Sequence, residues 1–446
     1  MFFIVRKEQE LKTSCAEILQ KAFSYEKVLS VLKRPGKRKR IYDPITTWAI
    51  WLGQTLSPDH SCRNALAGAR SAGLLPKKVS VHTGGYCKAR NRLSENGIHH
   101  LGVKLGLDLM KAETPENRWH GRRVIIPDGS SVSLPDTTAN QLVYPQPNTQ
   151  AAGCGFPVMY LATLISLSSG ALLDFKPGRG NGNELSLWRR MWHFLSPGDV
   201  VLGDSKYAAY ADVALFLERG IDTVARIGKR KTDFSKGKII SLKDHLVEWK
   251  RPKQLPSWLK RKSLPEKIMV RELCFRIEIH GFRPEMVTLA TTLLDYEVYS
   301  KEDIAELFFC RWQIELRLRD IKTVLGMDIL RTKTPERVRK ELWMYLSGYN
   351  LLRTLMWNAA TKSGKTVFRI SFQGCRQRFL ATAERNCSFA YFVFLYSQLL
   401  NDIANDLNPY RPFRIEPRAI KRRKKQYDLL NRPRGVLRRK LMGDVA

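Results

Sequence analysis

The chain has 446 residues, 43% of them apolar, with 76 Lys and Arg against 42 Asp and Glu and a net charge of +34. Such length and apolar content exclude a disordered chain and suffice for several domains with proper cores. The charge favours a polyanion, with nucleic acid as the expected partner; an anionic membrane surface lacks the polybasic amphipathic helix or lipidation motif it would need.

The eight cysteines form no Cys-x-x-Cys pair, and the histidines show no zinc-ligand spacing. Both fit a reduced, intracellular protein without structural zinc. The apolar start Met1-Phe2-Phe3-Ile4-Val5 ends too soon for a signal peptide, so a cytoplasmic, nucleoid-associated protein is expected.

Residues 1–120 read as a helical, DNA-binding region. Helical periods run through Glu8–Leu32, Ile45–Leu56 and Ile98–Lys111. A basic turn, Lys33-Arg34-Pro35-Gly36-Lys37-Arg38-Lys39-Arg40, and Leu75-Pro76-Lys77-Lys78 break them. No clear helix-turn-helix is visible.

Residues 121–228 change texture. Val124-Ile125-Ile126 predicts a short strand ending at Pro127-Asp128-Gly129, and Ser130–Leu134 a second short segment. The run Phe156–Phe175 is long enough to suggest a membrane span, but Ser166, Ser168, Ser169 and Gly170 interrupt it. Ser-Ser-Gly between β-rich halves reads as a hairpin turn. Glu184–Leu195 predicts a helix, Val200–Gly203 a buried strand stopping at Asp204, Tyr207–Arg219 a helix and Asp222–Ile227 a strand. Three strands able to pair antiparallel, then helix, strand, helix, strand, imply an α/β mixed sheet covered by helices.

Residues 229–284 read as a basic, β-containing insertion, with fourteen Lys or Arg against four Asp or Glu between Lys229 and Arg271. In residues 285–360 a strand over Met286–Leu294 precedes a helix over Ile304–Leu325, and a further helix covers Val338–Ala360. Residues 361–446 read as helical, with a basic tail from Pro409 holding thirteen basic and three acidic residues. Tracts of this kind hold DNA backbone and give affinity and salt dependence rather than sequence choice.

At 100° per residue, Phe308, Arg311, Glu315 and Lys322 fall within an arc of about 60° on the Ile304–Leu325 helix. Leu307, Ile314, Leu318, Ile321 and Leu325 form a buried stripe beside it. One carboxylate between two cations suits a metal-held phosphate. Two-metal phosphoryl transfer needs carboxylates around two cations roughly 3.5–4 Å apart, and strand-end acids facing a helical one can supply them. Asp128 and Asp204 end predicted strands, and Glu315 is on the later helix. Taken singly, Asp128 reads as a turn residue, Asp204 as a helix cap and Glu315 as a surface carboxylate bridging Arg311 and Arg319. Their order and joint placement favour a metal site. Glu184, after Gly180-Asn181-Gly182-Asn183, reads as a helix N-terminal charge, with a supporting role near the metals as the alternative.

The segment around Glu315 resembles the Tyr-Arg-Glu-Lys signature of insertion-sequence transposases of the IS-four type. Arg311, Glu315 and Lys322 match it in identity and spacing, within an Arg-Trp-x-Ile-Glu context; Phe308 stands at the Tyr position. Val124-Ile125-Ile126-Pro127-Asp128-Gly129, Gly155-Phe156-Pro157, Gly198–Asp204, Thr291-Thr292-Leu293 and Tyr86-Cys87-Lys88-Ala89-Arg90 extend the resemblance over most of residues 60–360. It implies an RNase H-like DDE core and metal ligation by Asp128, Asp204 and Glu315. It further implies phosphate contacts by Arg311 and Lys322, with Phe308 at the DNA-contacting Tyr position. Two Mg²⁺ ions, with Mn²⁺ as a substitute, would serve cleavage at the ends of a mobile element and joining to target double-stranded DNA. A dimer is expected in the active complex. Some related enzymes free the element through a DNA hairpin and stack a flipped base on an aromatic ring. Trp249 and Trp258 are candidates here, with packing of the insertion as the competing role. A DNA-binding protein without catalysis and an RNase H-like Mg²⁺-dependent nuclease are the alternative functions.

Overall fold

The computed structural model describes residues 31–32, 40–76, 79–179, 184–228, 232–255, 257–259, 263–277, 285–383, 389–409 and 429–442. Most of the expected Glu8–Leu32 helix, the basic turn after it and most of the basic tail lie outside the described residues.

Among the residues described from Pro44 on, the helices α1 (Pro44–Leu56), α2 (Cys62–Ser71), α3 (Gly84–Arg92) and α4 (Glu95–Lys111) precede the sheet. Local chemistry starts them. Asp43 accepts the Ile45 and Thr46 backbone N–H groups at 2.9 Å, and Pro44 takes the first position, where its missing N–H costs nothing.

The strands are β1 (Val124–Ser133), β2 (Val158–Ser166), β3 (Leu172–Gly178), β4 (Val200–Gly203), β5 (Asp222–Arg226), β6 (Lys238–Ser241), β7 (Asp244–Lys250), β8 (Lys267–Ile277) and β9 (Glu285–Thr291). They form one nine-stranded sheet in the order β3-β2-β1-β4-β5-β9-β8-β7-β6. β3, β2 and β1 pair antiparallel, while β1, β4 and β5 pair parallel. This is the expected RNase H-like mixed sheet. The strands of the basic insertion, β6 to β8, continue it through β9. The apolar run Phe156–Phe175 is the β2–β3 hairpin. No helix among the described residues is long and apolar enough to cross a membrane.

The remaining helices are α5 (Thr138–Val143), α6 (Glu184–Arg189), α7 (Tyr210–Glu218), α8 (Lys301–Cys310), α9 (Trp312–Arg319), α10 (Pro335–Ser363), α11 (Phe372–Ala383), α12 (Phe389–Asn405) and α13 (Arg434–Leu441). The long helix α10 grips the β2–β3 hairpin with buried polar side chains. Asn350 accepts the Leu172 N–H at 3.0 Å and donates to the carbonyls of Leu172 and Gly102. Tyr349 donates to the Gly170 carbonyl and Arg353 to that of Ser169. Every one of these groups is buried, so each bond replaces one that water would otherwise have made. A second, smaller core joins α7 to the insertion through Tyr210, Val213, Leu215, Trp249, Ile268 and Val270. Trp249 is buried there and donates to Glu272 at 2.6 Å, so it packs rather than presents a face.

Three expectations are corrected. The segments Val124–Ile126 and Ser130–Leu134 are one strand, so Asp128 lies inside β1 and does not end it. β2 pairs with β1 from Ile125 to Ser133, whereas β4 pairs only with Val124 and Ile125. Pro127, which has no N–H, therefore sits past the end of the β4 ladder and costs it no bond. The expected single helix Ile304–Leu325 is α8, a tightened joint at Arg311, α9 and a π-helical turn over Asp320–Val324. Arg311 N–H donates to the Phe308 carbonyl and Ile314 N–H to that of Arg311, both at 3.1 Å and at three-residue spacing. The predicted helices Glu184–Leu195 and Tyr207–Arg219 are shorter, with 3₁₀ turns over Trp192–Phe194 and Ser205–Tyr207.

The entry ends of the parallel strands are laced by ion pairs. Arg123 makes a two-pronged pair with the buried Asp199, at 2.7 and 2.6 Å, and Arg122 donates to Asp222 at 2.6 Å. Removing one partner strands a buried charge. Arg123→Met is expected to lower the unfolding free energy by about 3 kcal/mol, and Asp199→Asn in the same chain to recover part of it. Urea unfolding of the two variants measures this; additive losses would show that the pair carries no coupling.

Candidate active site

The parallel register brings the two aspartates to one place. Val124 stands beside Val200 and Ile125 beside Val201, and Asp128 and Asp204 follow at the same offset along the two strands. Asp204 ends β4 and also caps the turn after it, accepting the Lys206 N–H at 2.8 Å. The strand-end and cap readings are both true of it. The Asp128 backbone is held by β2, where Thr163 Oγ1 donates to its carbonyl at 3.0 Å. Its carboxylate accepts the Gly129 N–H at 2.8 Å. Burial pushes the Asp128 carboxyl up to about 6, and the negative charges of Glu184 and Asp204 push the same way; the Gly129 N–H and Arg311 oppose them.

Glu184, at the start of α6, belongs to this acidic locus. Tyr207 Oη donates to Glu184 Oε1 and Lys206 Nζ to Oε2, both at 2.8 Å. Two glycines admit this arrangement. A Cβ on Gly129 would lie 2.6 Å from Glu184 Cδ, and one on Gly203 would lie 2.6 Å from Tyr207 Cβ. The sequence reading favoured a helix-terminal charge for Glu184 and kept a supporting role near the metals as the alternative. The signal available was weak: an acid after a Gly-Asn loop, and a glycine following Asp128.

The signature residues divide. The stripe of Leu307, Ile314, Leu318, Ile321 and Leu325 is buried as expected. Phe308 is buried as well, at 5% exposure, and its ring lies 5.8 Å from the Arg311 guanidinium, with Trp312 at 5.4 Å on another side. Phe308 therefore supports Arg311 from within. Arg311 lies within electrostatic reach of Asp128, and its Nε–H is buried with no partner among the described residues. Glu315 is 47% exposed and turned to Arg311 at 3.4 Å. Lys322, on the π turn, lines an open cleft of about 330 Å³ with Gly129, Ser130, Ser131, Tyr160 and Glu184. Trp258 is half exposed beneath Arg189, whose guanidinium is 4.1 Å from its ring.

Glu184, Asp204 and Arg311 thus act on Asp128 through space, Lys322 lines the cleft with Glu184, and Glu315 is paired with Arg311. Among the described residues, no three His, Cys, Asp or Glu side chains converge closely enough to hold a metal ion. The donor set nevertheless fits a hard divalent cation. It offers carboxylate oxygens, and burial, aided by the charges of Glu184 and Asp204, holds Asp128 against ionisation, a condition that a bound cation relieves.

A raised carboxyl pKa means that the fold prefers the protonated form. Stability from this group is present below the unfolded pKa near 3.8 and is lost as pH rises through about 6. Asp128→Asn should therefore be more stable than the parent at about pH 8, by about 2–3 kcal/mol, with the difference vanishing near pH 4. Thermal unfolding across that range reads this; a destabilised variant at alkaline pH would contradict the assignment of strain to Asp128.

The profile of the Transposase DDE domain family matches residues 119–351, which span β1, both aspartates and the signature segment. The transposase InsG for insertion sequence element IS4 of Escherichia coli (strain K12) is 25% identical over 272 residues, 60% of this chain and 60% of that one. The transposase for insertion sequence element IS231F of Bacillus thuringiensis subsp. israelensis is 21% identical over 378 residues, 72% of this chain and 75% of that one. Among solved structures, the piggyBac transposase synaptic complex with hairpin DNA covers 92% of this chain and 85% of its own at 10% identity and a TM-score of 0.45. The chain spans about 60% of the length of the InsG protein. With more than half of its residues matched to the family profile, the chain belongs to the Transposase DDE domain family.

Proposed function

We propose that the protein is a transposase that binds the terminal repeats of an insertion sequence, cleaves DNA at its ends and joins them to target DNA by Mg²⁺-dependent phosphoryl transfer. The observation that carries this reading is the alignment of Asp128 and Asp204 on adjacent parallel strands, with Arg311 within electrostatic reach.

In this reading Asp128, Asp204 and Glu315 hold two Mg²⁺ ions, or Mn²⁺ in their place. Glu315 joins them once Arg311 exchanges it for a phosphate. The bound ions would activate the attacking water or 3′-OH and stabilise the leaving oxygen. The chain's own residues orient and neutralise. Arg311, backed by the Phe308 and Trp312 rings, offers its unpartnered Nε–H to a phosphate oxygen. Lys322, in the cleft it lines with Glu184, offers its ammonium to another phosphate oxygen. Phe308 serves DNA through Arg311 rather than by direct contact. The partners are the terminal repeats and target double-stranded DNA, with a dimer bringing two ends together. A cytoplasmic, nucleoid-associated place follows from those partners.

Purified protein, Mg²⁺ and DNA bearing the element's own terminal repeats provide the test. Glu315→Gln and Asp204→Asn should each reduce cleavage and joining by about 10³-fold or more while DNA binding survives. Arg311→Ala should weaken end binding and flatten its dependence on salt. Binding without any Mg²⁺-dependent cleavage by the parent protein would leave a DNA-binding protein without catalysis. Cutting without joining would leave a nuclease.

A further inference from the structure

Glu184 is absent from the expected metal-binding set, yet it is built into the floor of the site. Its two oxygens are each taken by a donor from the turn that follows Asp204: Tyr207 Oη and Lys206 Nζ, both at 2.8 Å. Tyr207 is buried, so its hydroxyl needs an acceptor and Glu184 is the one it has. Gly129, next to Asp128, leaves the space that the Glu184 carboxylate fills. The Lys206 ammonium is thereby held among three carboxylates. Glu184 bonds it directly, and Asp204 and Asp128 act on it through space. The Lys206 side chain is more than half exposed, so it is free to leave that position.

We propose that Glu184 is a positioning residue of the acidic site, which anchors Lys206 and Tyr207 beside Asp128 and Asp204, and that Lys206 is a resident counter-charge which a divalent cation displaces. This rests on the reading of Asp128 and Asp204 as the cation-holding pair. One ammonium among two aspartates and a glutamate offsets part of their repulsion. When a cation takes its place, Lys206 becomes available on the rim of the cleft, where DNA phosphates would pass.

The two residues then have opposite effects on cation affinity, which a merely structural role would not produce. Binding of Mn²⁺ alone, followed by the loss of its free electron paramagnetic resonance signal, is the readout, and needs neither DNA nor turnover. Glu184→Gln should weaken Mn²⁺ binding on the order of tenfold, Glu184→Asp should restore part of it, and Lys206→Met should tighten it several-fold. Tyr207→Phe keeps the packing and should give a smaller loss than Glu184→Gln. Asp128→Asn and Asp204→Asn, titrated alongside, test the underlying reading. If they abolish Mn²⁺ binding while Glu184→Gln and Lys206→Met leave it unchanged, this inference fails and the reading stands. If Lys206→Met weakens binding, the counter-charge role is overturned. If neither aspartate variant affects Mn²⁺ binding, the reading of the pair fails first.

Discussion

Parallel pairing of β1 with β4 is the constraint on which the site depends. Side chains on neighbouring parallel strands meet only if the register is right, and a slip of one residue would turn one aspartate to the opposite face of the sheet. The register is fixed at the far end of the strands. Arg123, just before β1, grips Asp199, just before β4, while Arg122 reaches Asp222 at the start of β5. Asp199 also accepts the Ser196 N–H, which locks the turn leading into β4. Buried pairs of this kind contribute little net stability but specify one arrangement strongly. Here the arrangement they specify is the one that carries Asp128 to Asp204.

Beyond the β1–β4 ladder, like charges sit close together. Burial raises the cost of ionising Asp128, and repulsion by Glu184 and Asp204 adds to it. Local backbone bonds, the Tyr207 hydroxyl and the cations Lys206 and Arg311 offset it. Such a cluster is less stable than a neutral substitute would be, and under the proposed function a bound cation would relieve that cost. The strongly basic chain supplies a field that draws a polyanion, while the floor of the cleft stays acidic. Under the proposed function, that separates the attraction of DNA from the binding of a cation.

Much of this was legible in the sequence, because period and order carry it. The hairpin in Phe156–Phe175, the buried strand ending at Asp204 and the apolar stripe of Leu307, Ile314, Leu318, Ile321 and Leu325 follow from alternation and helical spacing, and the structure has them. The mixed sheet followed from the order of elements. What escaped were features set by tertiary partners. Pro127-Asp128-Gly129 has turn chemistry, yet β2 keeps it extended by pairing along its whole length. The break at Arg311 and the π turn at Asp320–Val324 leave the apolar spacing unchanged, so no periodicity could expose them. Glu184 was named in the sequence with a role near the metals only as the alternative, because nothing local shows that its carboxylate fills the space beside Gly129. Lys322 lines a cleft with Glu184, Arg311 acts on Asp128 through space, Phe308 is buried and Glu315 pairs with Arg311.

The central claim is that Asp128 and Asp204 form one cation-holding locus. Iron-directed cleavage of the protein chain tests it most directly, because Fe²⁺ with ascorbate and peroxide cuts backbone only beside a bound ion. The account predicts fragments ending near residues 128 and 204, both suppressed by excess Mg²⁺. Cleavage at only one of the two positions, or at neither while other acidic segments are cut, would contradict it.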